Sequence, residues 1–240
     1  MYSVYCKKII VATLISVFIL PIIVVGQKYG IENRNFSSFN RKSYYFGLTL
    51  GLNSSGFKVN QSKNFIGNDS ISVVEGARTG GFNLHMIANL KMGDYFDFRF
   101  LPGFAFANRN IEYTKPDENR PDIQRIEAVF FELPFHLRYK SSPYKDKRFF
   151  IIGGLKYSYD VASNSKSRRA VDILKISPHD FQFELGFGLQ MFYPYFIFSP
   201  EIKFSRGLNN LLLYNRDLNQ SRVLENVVSQ FVTISFHFEG

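Results

Sequence analysis

The side chains of this 240-residue chain that could bind a metal or catalyse a reaction are few and scattered. His85, His136 and His237 lie on the polar side of segments that are far apart in the sequence. A metal site would require their rings to meet at one level of the fold, whereas an interior histidine more commonly forms a hydrogen bond. We therefore predict no metal site and no cofactor.

The run Ser177-Pro178-His179-Asp180 contains the residue types of a hydrolase triad. Adjacent residues of an extended chain point in different directions, whereas a triad depends on the three-dimensional placement of its groups. Gly186-Phe187-Gly188 lacks the following helix that a nucleotide-binding loop needs. We expect no enzyme, and a site at the rim of the fold built on His179 is the remaining catalytic alternative.

The composition combines many aromatic residues with low mean hydropathy. The chain has 27 Phe, 14 Tyr and no Trp, and its mean hydropathy is only -0.10. Its net charge is +9, but no run of Lys and Arg exceeds two residues, so we predict no nucleic-acid partner. Strands with one apolar and one polar face have this composition, because the hydropathies of the two faces offset each other in the mean.

Eight segments of about ten residues alternate apolar and polar side chains, which is the periodicity of a β-strand. Their apolar stripes contain no charged residue. Lipid would produce this bias, since Lys or Arg facing it at mid-membrane costs about 2–4 kcal/mol. We predict an all-β, eight-stranded antiparallel up-and-down barrel that spans the outer membrane. The segments are 44–53, 82–91, 96–107, 129–139, 149–160, 181–191, 196–205 and 232–239.

Side-chain volume predicts which face of these strands points outward. The apolar stripes are mostly Phe and Leu, whereas the polar stripes are rich in Gly and Ala. The interior of an eight-stranded barrel is too narrow for the larger set, so the apolar face should contact lipid. Inward charges must then be paired, and we predict a salt-bridged lumen without a wide pore. Its structural network comprises Asp97, Arg99, Glu132, His136, Arg138, Lys156, Asp160, Glu184, Glu201 and Lys203.

The parts of the chain outside the alternating segments predict the domain boundaries and the orientation of the barrel in the membrane. Lys7 and Lys8 precede an apolar run that ends near Gly26, so we interpret residues 1–26 as a cleavable signal peptide. Residues 27–43 form a flexible periplasmic lead-in, and residues 44–240 form the barrel. Long and short connections alternate, with long ones at 53–78, 108–122, 162–178 and 206–226. Long loops face outward in such barrels, which leaves both termini in the periplasm.

A basic cluster, Lys166, Arg168 and Arg169, lies in the connection before His179. Its simplest interpretation is a solvated loop. The functional alternative is contact with lipopolysaccharide or with a protein partner, and we include His179 in that candidate surface.

Five stretches resemble the PorT family: FELPFHLRYK (131–140), KYSYDVASNS (156–165), ISPHDFQFE (176–184), FSPEIKF (198–204) and SFHFEG (235–240). The resemblance covers nearly all of the mature chain. It implies a non-enzymatic outer-membrane component of the type IX secretion system, which exports proteases and adhesins and is linked to gliding. It further implies other secretion proteins and membrane lipid as partners, with no small-molecule substrate. The alternative is a structural or adhesive surface barrel without a role in export.

Overall fold

The computed structural model describes residues 34–61, 73–114, 122–162, 176–213 and 224–240. The signal peptide predicted for residues 1–26 lies outside the described residues. A short helix, α1 (Arg34–Asn40), precedes ten β-strands. The strands are β1 (Tyr44–Gln61), β2 (Val73–Ala77), β3 (Thr79–Lys91), β4 (Phe96–Phe100), β5 (Gly103–Thr114), β6 (Asp122–Lys140), β7 (Lys147–Asp160), β8 (His179–Phe192), β9 (Ile197–Gly207) and β10 (Leu224–Glu239).

The sheet closes on itself through β1. On one side β1 pairs with β10, where Leu48 lies opposite Phe238, and on the other it pairs with β3, where Leu48 lies opposite Met86. Every pairing between these strands is antiparallel. The prediction of an all-β antiparallel barrel is confirmed.

The number of strand segments is ten rather than the predicted eight, because two runs are interrupted. Arg78 separates β2 from β3, and Leu101 with Pro102 separates β4 from β5. Both β2 and β3 pair with β5, and both β4 and β5 pair with β6. Pro102 lacks the N–H group that a continuous ladder requires. If each interrupted pair is taken as one run, eight runs surround the lumen.

The burial of alternate residues confirms which face points outward. Leu50, Leu185 and Phe187 on the apolar stripes are 52%, 56% and 61% exposed. Thr49 and Glu184, on the polar stripes, are buried inside the closed sheet. An exposed apolar surface of this extent needs a covering phase, and lipid provides one.

Several strands extend further than the alternating pattern indicated. The pairing of β1 with β10 continues to Gln61, and β5 pairs with β6 as far as Tyr113 and Asp122. The predicted connections 53–78, 108–122 and 206–226 therefore contain strand. Backbone hydrogen bonds hold these extensions together, so pairing does not end where the apolar stripe ends.

The short connections cluster at one end of the barrel, hereafter the short-turn end. Gly93 takes a positive φ of 114° between β3 and β4, a conformation that favours glycine. Lys145 and Asp146 adopt positive φ in the connection between β6 and β7. No helix within the described residues is long and apolar enough to span a membrane.

Helix α1 corrects the expectation of a wholly flexible lead-in. Phe36 and Phe39 are buried against Phe192 and Ile197. The ring centroids of Phe36 and Phe192 lie 5.1 Å apart in an edge-to-face arrangement. The segment forms a helix because its two aromatic side chains bury apolar surface at the barrel end. The polar composition of the lead-in as a whole conceals the contribution of these two side chains.

Candidate functional site

The lumen of the barrel is the most elaborate polar site among the described residues. Glycines on the inward face make room for it. Gly154 lies beside the ring of His136, and Gly103 lies beside the ring of His85, so that an added Cβ would be 2.8 Å and 2.6 Å from the Cδ2 atoms. The close approach explains why small residues share strands with large charged ones, as narrow barrels require.

A first group of charges lies near the short-turn end around Asp97 on β4. The guanidinium of Arg138 on β6 donates from Nε to Asp97 Oδ2 over 3.0 Å, and the Lys140 ammonium contacts the other carboxylate oxygen. The Tyr45 hydroxyl donates to Asp97 over 3.3 Å. Asp97 and Arg138 are buried, so the charges compensate one another away from water.

A second group joins opposite walls of the barrel. Arg99 Nη1 on β4 lies 3.2 Å from Glu201 Oε2 on β9, and Arg99 also forms an ion pair with Glu239 on β10. His237 Nε2 lies 3.2 Å from the same Glu201 oxygen, while its Nδ1 is 2.7 Å from the Thr49 hydroxyl. These contacts cross the lumen and occupy its centre.

A third group lies further toward the long connections and is built on two glutamates. Lys156 Nζ lies 2.9 Å from Glu132 Oε1 and 3.3 Å from Glu184 Oε1, so it links them. Lys203 lies 3.2 Å from Glu184. All four residues are buried, and each charge has an opposite charge within hydrogen-bonding reach. We call the three groups together the lumen network.

Toward the long-loop end, aromatic rings replace carboxylates around a buried cation. The guanidinium of Arg109 lies 4.9 Å, 4.3 Å and 4.7 Å from the ring centroids of Phe57, Phe130 and Phe231. Cation–π attraction strengthens when the cation is removed from water, as it is here because Arg109 is buried. The aromatic cage fills the lumen above the network.

At the opposite end, α1 covers the lumen. The Phe36 amide donates to Asp146 Oδ1 over 2.9 Å, and the Lys91 ammonium donates to the Phe39 carbonyl over 2.7 Å. The Arg148 guanidinium lies 5.1 Å from the Phe36 ring centroid. The lumen is therefore covered at this end by a helix that both polar and aromatic contacts hold.

The candidate residues of the sequence analysis occupy different places. Of the ten lumen candidates, eight belong to the lumen network: Asp97, Arg99, Glu132, Arg138, Lys156, Glu184, Glu201 and Lys203. His136 joins it through an ion pair with Glu184. Asp160 is only half-buried and accepts a hydrogen bond from the Ala162 amide, with no ion-pair partner among the described residues. Lys166, Arg168 and Arg169 lie outside the described residues.

The Ser177–Asp180 run does not converge. The Ser177 hydroxyl donates to the backbone oxygen of His179, whereas the His179 ring is exposed and its Nδ1 lies 2.8 Å from the Tyr157 hydroxyl. Asp180 points inward and accepts a 2.5 Å hydrogen bond from the Ser229 hydroxyl. The residues of the run therefore have separate partners.

The three inward histidines pair with three different carboxylates. His85 lies 3.1 Å from Glu132, His136 lies 2.5 Å from Glu184, and His237 lies 3.2 Å from Glu201. Within the described residues no group of three or more His, Cys, Asp or Glu is arranged to hold a metal ion.

Three buried cations escaped the sequence analysis: Arg109, Lys140 and Arg148. Arg109 continues the inward face of Ala105 and Ala107, and Lys140 follows Arg138 at the same spacing of two. Extending the two-residue period past the last apolar residue would have found both. Arg109 was instead assigned to the connection 108–122, and the fourth segment was ended at Tyr139, because the apolar stripe ends before the strand does.

A family profile described as "Outer membrane protein beta-barrel domain" matches residues 32–213 of this chain. The chain belongs to this outer membrane β-barrel family. It is accordingly an integral protein of the bacterial outer membrane. No curated protein matches the sequence significantly.

Several solved outer membrane structures are similar to this outer membrane barrel at low sequence identity. The outer membrane protein OprG from Pseudomonas aeruginosa is 10% identical, with a TM-score of 0.45, covering 82% of this chain and 95% of OprG. Neisserial surface protein A is 9% identical, with a TM-score of 0.41, covering 80% and 96%. Ail of Yersinia pestis, in complex with the heparin analogue sucrose octasulfate, is 11% identical, with a TM-score of 0.37, covering 83% and 100%.

Proposed function

We propose that this outer membrane barrel is a non-enzymatic component of the type IX secretion system, required for export of proteases and adhesins and for gliding where that occurs. The observation that carries the proposal is the resemblance to the PorT family in five stretches. These stretches lie on or next to β6, β7, β8, β9 and β10, so they are spread over more than half of the ring.

The filled lumen supports a role through surfaces rather than through transport. The ion pair of Arg99 with Glu201 crosses the barrel, and the Arg109 cage and α1 lie above and below it. An exported polypeptide passing through would have to separate buried charges, which is strongly unfavourable. We therefore assign the export path to other proteins of the machine and an accessory role to this barrel.

The proposed orientation has both termini in the periplasm and the long connections outside. Helix α1 and the C-terminal residue Gly240 lie at the short-turn end, where the Gly240 amide donates to the Phe46 carbonyl over 2.9 Å. Short turns on the periplasmic side and longer loops outside are the rule for barrels of this class. Periplasmic partners would then meet α1 and the short turns.

A non-enzymatic role agrees with the geometry at the outer rim. His179 and Asp180 point to opposite sides of β8, and the Ser177 hydroxyl contacts backbone rather than the imidazole. A hydrolase triad requires the three groups to form one hydrogen-bonded chain. We propose His179, with Lys166, Arg168 and Arg169, as part of a surface for protein partners or lipopolysaccharide, with no cofactor, nucleic acid or small-molecule substrate.

Deletion of the gene tests the proposal. We expect proteins normally released to the medium or displayed on the surface to accumulate in the periplasm, and complementation to restore their export. The abundance of an unrelated outer membrane barrel in the same strain controls for general damage to the envelope. Unchanged export would reject the secretion role, and poor surface attachment with intact export would favour a structural or adhesive barrel.

A further inference from the structure

Among the described side chains, three cationic ones lie on the outward face of the barrel at its long-loop end. They are Lys58 on β1, Arg78 between β2 and β3, and Arg206 on β9, and all three are exposed. Lys58 follows the outward positions Leu50 and Leu52 at the two-residue period of the strand. We call these residues the outward cation cluster.

Strand register brings the cluster together across adjacent strands. Gly56 lies opposite Gln230, and Gln230 lies opposite Arg206. A Cβ on Gly56 would lie 3.0 Å from Arg78 Cγ, so the glycine leaves space for Arg78 to pack against β1. Together the three cations line a cleft of about 480 Å³ with Val59, Gly76 and Gln230.

The cluster differs from the lumen network because no acidic side chain among the described residues forms an ion pair with it. Among the described residues, Lys58, Arg78 and Arg206 form no ion pair, whereas the buried cations Arg99 and Arg138 each contact a carboxylate. On β7 and β8 the outward face at the long-loop end instead carries aromatic rings. The ring centroids of Tyr159 and His179 lie 5.1 Å apart. Among the described side chains, positive charge on the outward face of the long-loop end therefore lies on the side formed by β9, β1 and the β2–β3 junction.

The outward apolar surface on the same strands, further toward the short-turn end, indicates the class of ligand. Leu52 and Phe82, which face outward on β1 and β3, are 63% and 54% exposed. Acyl chains of a membrane lipid would cover these side chains, and the headgroup of the same lipid would lie at the level of the cations. Guanidinium and ammonium groups bind phosphate through charge-assisted hydrogen bonds, and cations at a membrane surface attract anionic lipids.

We infer that the outward cation cluster binds the phosphate groups of lipid A, the phosphorylated lipid anchor of lipopolysaccharide. The inference rests on the outward orientation of the long connections proposed above, since lipopolysaccharide occupies the outer leaflet. The outward cation cluster shares no residue with the basic cluster Lys166, Arg168 and Arg169.

Binding of purified lipid A to the full mature protein in detergent tests the site by native mass spectrometry. We expect the triple variant Lys58→Gln, Arg78→Gln, Arg206→Gln to bind diphosphoryl lipid A roughly 10-fold or more weakly than the natural protein. The matched control Arg34→Gln, Arg41→Gln, Lys147→Gln removes the same charge near the short-turn end and should bind normally. Dephosphorylated lipid A should bind the natural protein no better than the triple variant binds the phosphorylated lipid.

Four outcomes would overturn the inference: equal weakening in the control, unchanged binding in the triple variant, equal binding of dephosphorylated lipid, or displacement by inorganic phosphate at modest excess. Resistance to SDS at room temperature verifies folding. If the triple variant fails to fold, Gly56→Leu keeps every charge and displaces Arg78, so it should also weaken binding. Because no secreted protein takes part, failure here is distinguishable from failure of the secretion role, which the export assay measures.

Discussion

Arg99 and Glu201 form a 3.2 Å ion pair, although their strands β4 and β9 are four runs apart in either direction around the barrel. The pair therefore connects diametrically opposite walls. Both side chains are fully buried, and Arg99 additionally contacts Glu239 on β10. One guanidinium thus holds three parts of the wall at fixed separation and occupies the space that a pore would need.

We expect Arg99→Met to destabilise the barrel by about 3–5 kcal/mol, because it leaves Glu201 and Glu239 buried with less compensation. Urea unfolding of protein refolded into lipid vesicles measures the free energy of unfolding. Arg41→Gln, which removes an exposed arginine outside the proposed lipid site, is the control and should stay within about 0.5 kcal/mol of the natural protein. Equal stability of the two variants would mean that water reaches the Arg99 site.

Substitutions on the two faces of β8 should have unequal effects. Leu185 is 56% exposed on the outward face, and Leu185→Arg is expected to cost about 2–4 kcal/mol and to reduce assembly into the membrane. Gln190 is buried in the lumen and its amide lies 3.5 Å from Glu239, so Gln190→Ser should assemble normally. The amount of SDS-resistant barrel in isolated outer membranes measures assembly, and equal tolerance would contradict the assigned facing.

The filled lumen predicts that the natural protein forms no stable ion channel in planar lipid bilayers. Removal of α1 by deleting residues 34–42 should leave conductance at background, because the lumen network and the Arg109 cage still fill the interior. Steps of conductance in the natural protein would contradict the filled lumen. Steps of conductance in the deletion variant alone would mean that α1, rather than the lumen network, closes the lumen.

Helix α1 should depend on its two buried aromatic residues. Phe36→Ala and Phe39→Ala each remove a ring from the cluster with Phe192, and we expect a loss of up to about 3–5 kcal/mol of local stability. The rate of trypsin cleavage at Arg34 and Arg41 measures release of the helix. Ser37→Ala, at an exposed position, should leave that rate unchanged, and unchanged cleavage in the Phe variants would refute the docking.

His179 separates the secretion role from a rim-site enzyme. His179→Ala removes a ring that contacts Tyr157 and Tyr159, and it should leave assembly intact because the ring is exposed. Complementation of the deletion strain by this variant is expected to restore export fully or, if His179 contacts a partner, in part. Complete loss of function with a normally inserted barrel would support the catalytic alternative.

The two-residue period made the barrel predictable, because it is a local property that lipid imposes on each strand separately. Leu50, Leu185 and Phe187 face outward, as the alternation predicts. The same period failed near strand ends, where polar residues stand on both faces. Arg109 and Lys140 were missed for that reason, although they lie on the inward face.

The partners within the lumen were not predictable, because they depend on register and on strand order around the ring. Nothing local relates Arg99 to Glu201, which is 102 residues away. Helix α1 was missed because seven residues with two Phe give no clear pattern, and its stability depends on Phe192 and Ile197 far along the chain.

The sequence by itself determined that this chain forms a barrel with a lipid-facing apolar surface and a charged interior, because alternation and side-chain volume act residue by residue. Only the tertiary structure decided which charges compensate one another, that α1 covers one end, and that Lys58, Arg78 and Arg206 meet outside. Closure of the ring fixes these relationships, since it brings residues into contact across the lumen and across strands that the chain order separates.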